Sequence, residues 1–287
     1  MTAVITAEAS AGKLTRARSS RLGIPGVVAV VVLVLAVAAA IAGPYLAPYD
    51  PSAGSPSGAW LGPSSGHLLG QDVQGRDVAS RLLAGARSSM LGPLIVVVLS
   101  LVMGSVLALL AAWRRGVVDS IISSTMDILF AFPGILLAAL AAAVLDAGLW
   151  PAVIALSVAY TPYVARLLRG VFLRERELPY VAAAEIQGFS AITICLRHLI
   201  PNVLPVMVAQ GTLLFGYAVL DIAILSYLGL GIQPPSPDWG VMVSENQSGV
   251  LQSYPLPVLS AGCCVVVVVV AMNILGERLL GAKDNER

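Results

Sequence analysis

The sequence predicts an all-α membrane protein with six transmembrane helices, and three observations carry that prediction. Hydrophobic residues make up 57% of the chain and charged residues only 11%, against roughly 25% charged in a soluble domain. Six windows hold no Asp, Glu, Lys or Arg: 22–49, 88–113, 128–145, 147–165, 198–220 and 246–276, each at least 18 residues long. A bilayer core about 30 Å thick needs about 20 helical residues, so all six suffice once interfacial ends are counted. The basic residues supply the third observation, because Lys and Arg flanking spans are retained on the cytoplasmic side. With the N-terminus inside, the inner segments carry 14 of the 17 Lys and Arg residues, and the outer ones keep only Arg76, Arg81 and Arg87. Both termini are therefore expected in the cytoplasm.

Residues 1–21, rich in Ala, Ser, Thr and Arg without apolar periodicity, predict a cytoplasmic tail. The first span follows at 22–43. A cleaved signal peptide is the competing reading, but the apolar stretch is long and Ala42-Gly43-Pro44-Tyr45 matches a small-x-small cleavage site poorly. Residues 44–87 form an extracytoplasmic loop, its first part extended by Pro44, Pro48, Pro51, Pro56 and Pro63. Further spans are predicted near 90–113, 121–145 and 147–167, then a cytoplasmic loop at 174–200 and a span at 200–222. In the outer loop 227–254, the prolines of Gln233–Gly240 forbid a regular helix and Trp239 is expected at headgroup level, with the loop covering the outer mouth. The last span is placed near 254–276, where Val265–Val270 is helix despite β-branching, because an open strand in lipid leaves backbone groups unpaired. Residues 277–287 return to the cytoplasm. No internal repeat supports an inverted-repeat carrier.

Between two spans lies a short polar island, residues 179–201. Pro179 at a first helical position and Gly188 as terminator bracket a helix over 179–187, roughly 14 Å long. It is too short to cross a membrane and is suited to exposure on the cytoplasmic surface.

Groups for catalysis are missing from the pattern. His67 and His198 lie on opposite sides of the predicted topology, and neither neighbours a Ser, Cys or carboxylate arrangement resembling a nucleophile site. No Gly-x-x-x-x-Gly-Lys-Ser/Thr loop occurs, so the chain does not hydrolyse ATP by that route. Cys195, Cys263 and Cys264 offer neither a disulfide framework nor metal-ligand spacing and are expected as packing residues. Carboxylates at membrane depth are functional candidates by default, and two qualify: Asp127 at the inner end of the third span and Asp221 near the outer end of the fifth. Interhelical capping or snorkelling is one account of both; lining a polar pathway is the other.

Four motifs together resemble the permease subunits of ATP-binding-cassette importers of the dipeptide and oligopeptide (DppC/OppC) type. The family's coupling motif, Glu-Ala-Ala, three residues, Gly, nine residues, Ile-x-Leu-Pro, is matched by Ala182, Ala183, Ala184, Gly188, His198, Ile200 and Pro201; Ala182 and His198 depart from it. The segment His67–Arg87 is similar to the family's His-Pro-Leu-Gly-Thr-Asp, Gly-Arg-Asp, Ser-Arg-Leu motif through Asp72, Gly75, Arg76 and Asp77, with departures at Leu68 and Gln71. Leu225–Gly231, Gln233-Pro234-Pro235 and Trp239-Gly240 form the third match, in which the usual glutamate falls on Ile222 beside Asp221. Asp127 with Ala131-Phe132-Pro133-Gly134 is the fourth.

The resemblance implies a type I importer core of five helices over 86–276 with the first helix as a peripheral addition. It implies an importer of peptides or, in sister systems, of nickel, haem or glutathione-like solutes; a secondary carrier is the different-class alternative, disfavoured by the scarcity of mid-span carboxylates. Implied partners are a second homologous permease (DppB/OppB type), ATPase subunits or a fused ATPase carrying ATP and Mg²⁺, an extracytoplasmic substrate-binding protein and membrane lipid, with no nucleic acid. No cofactor is expected on this chain, and its location would be a bacterial inner membrane. Pro179, Tyr180, Val181, Ala183, Ala184, Glu185 and Gly188 are expected to couple to an ATPase, with Tyr180, Val181, Ala183 and Ala184 buried in its cleft and Glu185 at the rim. Asp127, Asp221 and Tyr227 are candidate pathway or gating residues, and Asp72, Gly75, Arg76, Asp77 and Trp239 form the outer-face motif.

Overall fold

A computed structural model describes residues 23–284, with side chains as far as Leu280. The expected tail 1–21 and the last residues of the expected C-terminal segment lie outside it. Ten helices follow in order: α1 Gly23–Leu46, α2 Val78–Arg114, α3 Gly116–Phe130, α4 Gly134–Leu145, α5 Leu149–Arg176, α6 Pro179–Ile186, α7 Ala191–Ile194, α8 Ile200–Tyr227, α9 Trp239–Leu251 and α10 Leu256–Asp284. Among the described residues, five helices are long and apolar enough to cross a membrane, and six crossings result if α3 and α4 together count as one.

That pair corrects the span expected at 121–145. The helix starts at Gly116 and breaks near Pro133, where α3 and α4 diverge by 79°. Proline has no N–H to continue the ladder and pushes its predecessor out of helical geometry; Pro133 itself is extended, with ψ 128°. Alone, the 12 residues of α4 reach roughly 18 Å, less than a bilayer core.

Other boundaries also move. The loop expected to run to residue 87 ends at Asp77, whose carboxylate caps α2 by accepting from the Ser80 amide. α5 continues to Arg176, α8 to Tyr227 and α10 past residue 276. The loop expected over 227–254 contains α9, because the proline-rich stretch stops at Asp238, which accepts hydrogen bonds from the Gly240 and Val241 amides as its N-cap.

The packing centre is α2 against α5 and α8, with α10 along α8 and α1 on the outside of α2 and α10. Gly104 lets α2 and α5 approach: a Cβ there would stand 2.6 Å from Val164. Small residues at such contacts are the usual means of close helix packing in lipid. The hydroxyls of Ser100, Ser157 and Thr161, buried in this region, donate to carbonyls of their own helices, whereas the Ser105 hydroxyl beside Gly104 is buried without a partner.

Two ends of the bundle differ in chemistry. At one, the end of α2, the start of α3 and the end of α5 meet: Arg176 donates to the Ala112 and Trp113 carbonyls, and Arg115 pairs with Glu177 at 3.1 Å. Gly23 lies beside Arg278, so α1 begins and α10 finishes at this basic end. The opposite end gathers the loop 47–77, the start of α2, α9 and the end of α8.

Candidate functional site

At the basic end α6 stands between α5 and α8. Leu178 is extended before it, and Pro179 occupies the first turn where a missing N–H costs nothing. It ends in a Schellman turn: Gly188 at φ +81° donates to the Glu185 carbonyl, and Phe189 to that of Ala184. Ser190 then caps α7 by accepting from Thr193. A π-helical turn, Cys195–Leu199, joins α7 to α8. Its cause is Pro201, which cannot donate to the Arg197 carbonyl; the wider turn passes Ile200 N–H back to Cys195.

The face that α6 offers differs from the expected one. Val181 and Ala184 are buried against the chain's own core, 1% and 7% exposed, and cannot lie in a partner's cleft. Tyr180 is half-buried and donates to Glu175 at 3.0 Å. Ala182, Ala183, Glu185 and Ile186 point outward, with Ile186 87% exposed. The surface continues through Phe189, Ile192 and Leu196. A helix this short is held by tertiary contacts, so its apolar residues were divided between an inner and an outer face that composition does not distinguish.

The opposite end holds a buried charge network. Asp72 accepts from the Gln74 and Arg76 amides and, at 2.7 Å, from Arg76 Nε. Arg76 and Arg81 both reach Glu245 Oε2, at 2.8 and 2.9 Å, and Arg81 also donates to the Pro51 carbonyl. Asp72, Arg76 and Arg81 are essentially inaccessible, and Glu245 is 11% exposed. Burial alone would depress the Arg76 guanidinium, but hydrogen bonds to Asp72 and Glu245 more than offset it and hold its pKa above the ordinary value. Gly75, at φ +71°, closes the turn where a Cβ would strike the Ser55 carbonyl at 1.9 Å.

Beside this network, Asn246 accepts from Val73 N–H and donates to the Met242 carbonyl. Ser89 donates to Asp238 at 2.7 Å and accepts from Trp239 N–H, while the Trp239 indole donates to the Leu82 carbonyl. Trp239 is therefore 3% exposed inside the protein; the expected headgroup position is corrected. Loop 47–77, α2 and α9 are locked into one unit. The motif's Asp72, Gly75, Arg76 and Asp77 were visible in sequence, but Glu245, Asn246 and Asp238 were missed. Glu245 had a signal: it is the only acidic residue between Asp238 and Glu277.

His67 lies 2.9 Å from Asp77 through Nδ1, a carboxylate contact that sequence reasoning did not foresee. Ser80 bonds the same carboxylate rather than the imidazole, and His67 Nε2 faces Gln71, so no nucleophile is activated. Among the described residues no group of three or more His, Cys, Asp or Glu side chains could hold a metal ion.

The candidate pathway residues are not brought together. Asp127 on α3 pairs with Arg166 of α5 while both remain largely exposed. Asp221 on α8 accepts from the Tyr160 hydroxyl at 2.5 Å. Tyr227 donates to Gln247 of α9 at 2.8 Å.

Membrane-crossing helices, a short helix displayed at the basic end and an interlocked cap at the other define a multi-pass membrane component. The chain belongs to the family of binding-protein-dependent transport system inner membrane components, whose model matches residues 100–281. It is 36% identical over 267 residues to the dipeptide transport system permease protein DppC of Alkalihalophilus pseudofirmus, covering 93% of this chain and 86% of that one. It is 38% identical over 223 residues to the glutathione transport system permease protein GsiD of Pectobacterium atrosepticum, covering 78% and 74%. Among solved structures, an inward-facing MetNI methionine ABC transporter superposes with a TM-score of 0.54 at 20% identity, over 70% of this chain and 95% of that one.

Proposed function

We propose that the chain is the transmembrane permease subunit of an ATP-driven importer that moves di- or oligopeptides into the cell. The observation that carries the reading is α6: a surface helix between two membrane-crossing helices, displayed at the basic end of a chain of this family, with Ala182, Ala183, Glu185 and Ile186 facing outward. The basic end is cytoplasmic by charge distribution. There the small alanines admit close approach of an ATPase that carries ATP and Mg²⁺, and Ile186 supplies apolar contact. Pro179 and Gly188 fix where this helix begins and ends; Val181, Ala184 and Tyr180 anchor it to the bundle. ATP-driven closure of two ATPases would drag α6, and with it α5 and α8, so that the pathway between this chain and a second homologous permease changes the side it faces. A substrate-binding protein would deliver solute to the opposite end, where the network of Asp72, Arg76, Arg81 and Glu245 keeps the surface rigid. Asp127, Asp221 and Tyr227 are assigned to the pathway side.

The test is reconstitution of the chain with its companion permease, ATPases and binding protein in liposomes, with labelled dipeptide outside. Uptake should require ATP at the ATPase face together with the binding protein, and Ile186→Asp should abolish co-purification of the ATPase without altering the permease's thermal midpoint. Uptake driven by a proton or sodium gradient without ATP would refute the reading and favour a secondary carrier.

A further inference from the structure

Polar side chains on the facing surfaces of α5 and α8 form one stripe between Gln210 and Asp221. Gln210, Tyr217 and Asp221 recur on α8 at intervals of seven and four residues, hence on one face. Tyr160 and Tyr163 recur at three on α5 and meet them: Tyr160 donates to Asp221 at 2.5 Å, and Tyr163 reaches Gln210 at 3.5 Å. Tyr163 and Tyr217 are exposed, and Asp221 is half-buried. The stripe spans about 16 Å from Gln210 to Asp221.

Asp221 has no Lys or Arg partner among the described residues, whereas Asp119 on α3 pairs with Arg169 and Asp127 with Arg166. Its neighbour Ile222, where the resembled family has a glutamate, is 1% exposed in the core. Moving the carboxylate by one residue rotates it about 100° around the helix, out of the core and onto the α5-facing stripe. An unpaired carboxylate within a span is costly, and a functional partner is the expected reason for it.

We infer that Asp221, oriented by Tyr160 and with Tyr217 one turn away on the same face of α8, is a transient site for the primary ammonium group of a peptide's N-terminus on its way through. The inference rests on the transport reading and adds the group that is recognised. A carboxylate supplies a charge-assisted acceptor and the tyrosine rings supply faces that attract a cation. A single carboxylate without further acidic, His or Cys ligands does not make a metal site, which favours an organic cation. Weak, single-point capture suits a pathway, since the solute must also leave.

The experiment uses the complete reconstituted transporter with trialanine and N-acetyl-trialanine, each saturating the binding protein. Asp221→Asn keeps an acceptor for Tyr160 but removes the charge. It should lower the trialanine uptake rate about tenfold, leave binding-protein-stimulated ATP hydrolysis and the thermal midpoint unchanged, and leave N-acetyl-trialanine uptake unchanged. Asp221→Glu should restore most of the trialanine rate. Wild-type trialanine uptake by the Asn variant, or an equal loss for both peptides, overturns the inference while leaving the transport reading intact. A wild-type complex that carries neither peptide overturns the transport reading and the inference with it.

Discussion

Replacing Glu245 by alanine removes one of the two acidic side chains that Arg76 and Arg81 share. Its Oε2 lies 2.8 Å from Arg76 and 2.9 Å from Arg81, and it is 11% exposed where the arginines are 1% and 0% exposed. In the native cluster two carboxylates balance two guanidinium groups. Without Glu245, Asp72 alone faces both arginines, and one positive charge is left buried and uncompensated. Breaking a buried pair from one side costs about 3 to 5 kcal/mol, which at about 2–4 °C per kcal/mol for a domain of this size lowers the thermal midpoint by roughly 6–20 °C. The assay is thermal unfolding of the purified permease in a fixed detergent, with uptake measured in parallel. Glu245→Gln, which keeps an acceptor but not the charge, should fall between wild type and Glu245→Ala. A Glu245→Ala midpoint within about 2 °C of wild type would refute the claim that this cluster clamps α9 to α2.

Three further outcomes are expected. Gly188→Glu meets open space but must adopt φ +81°, a strain of about 1–2 kcal/mol borne by the α6 exit turn; the unfolding midpoint should fall by about 2–8 °C, while ATP hydrolysis coupled to the binding protein falls several-fold. Ser89→Ala removes a buried bridge between Asp238 and the Trp239 amide and should cost about 1–3 kcal/mol, seen as a lower unfolding midpoint. Ile186→Asp should leave that midpoint within experimental scatter, because the side chain is 87% exposed, yet prevent recovery of ATPase subunits on affinity purification.

Much of the fold was legible because lipid leaves a chain few choices. Long charge-free windows must become helices, and the basic residues had to be sorted between two ends. The break at Pro133 was less legible: a proline marks a disturbance, but the 79° bend depends on what α4 packs against, which is α5. In the candidate site, Pro179 and Gly188 announced α6 through their own backbone restrictions. Which of its apolar residues faced inward did not follow, since Val181 and Ala183 are equally compatible with either face. The hydrogen bond from Tyr160 to Asp221 joins residues 61 positions apart, beyond any local pattern.

By itself, then, the sequence determined the solvent of this protein, its helical class, the places where helices cross and the short segment displayed between two of them, because these follow from hydrophobicity and local backbone limits. Only the tertiary structure decided that Glu245 completes the cluster begun by Asp72, Arg76 and Arg81, that Trp239 is interior, and that Asp221 faces α5 while Ile222 enters the core. Those outcomes depend on which surfaces meet, and a buried charge or a helix face acquires its role only from the partner packed against it.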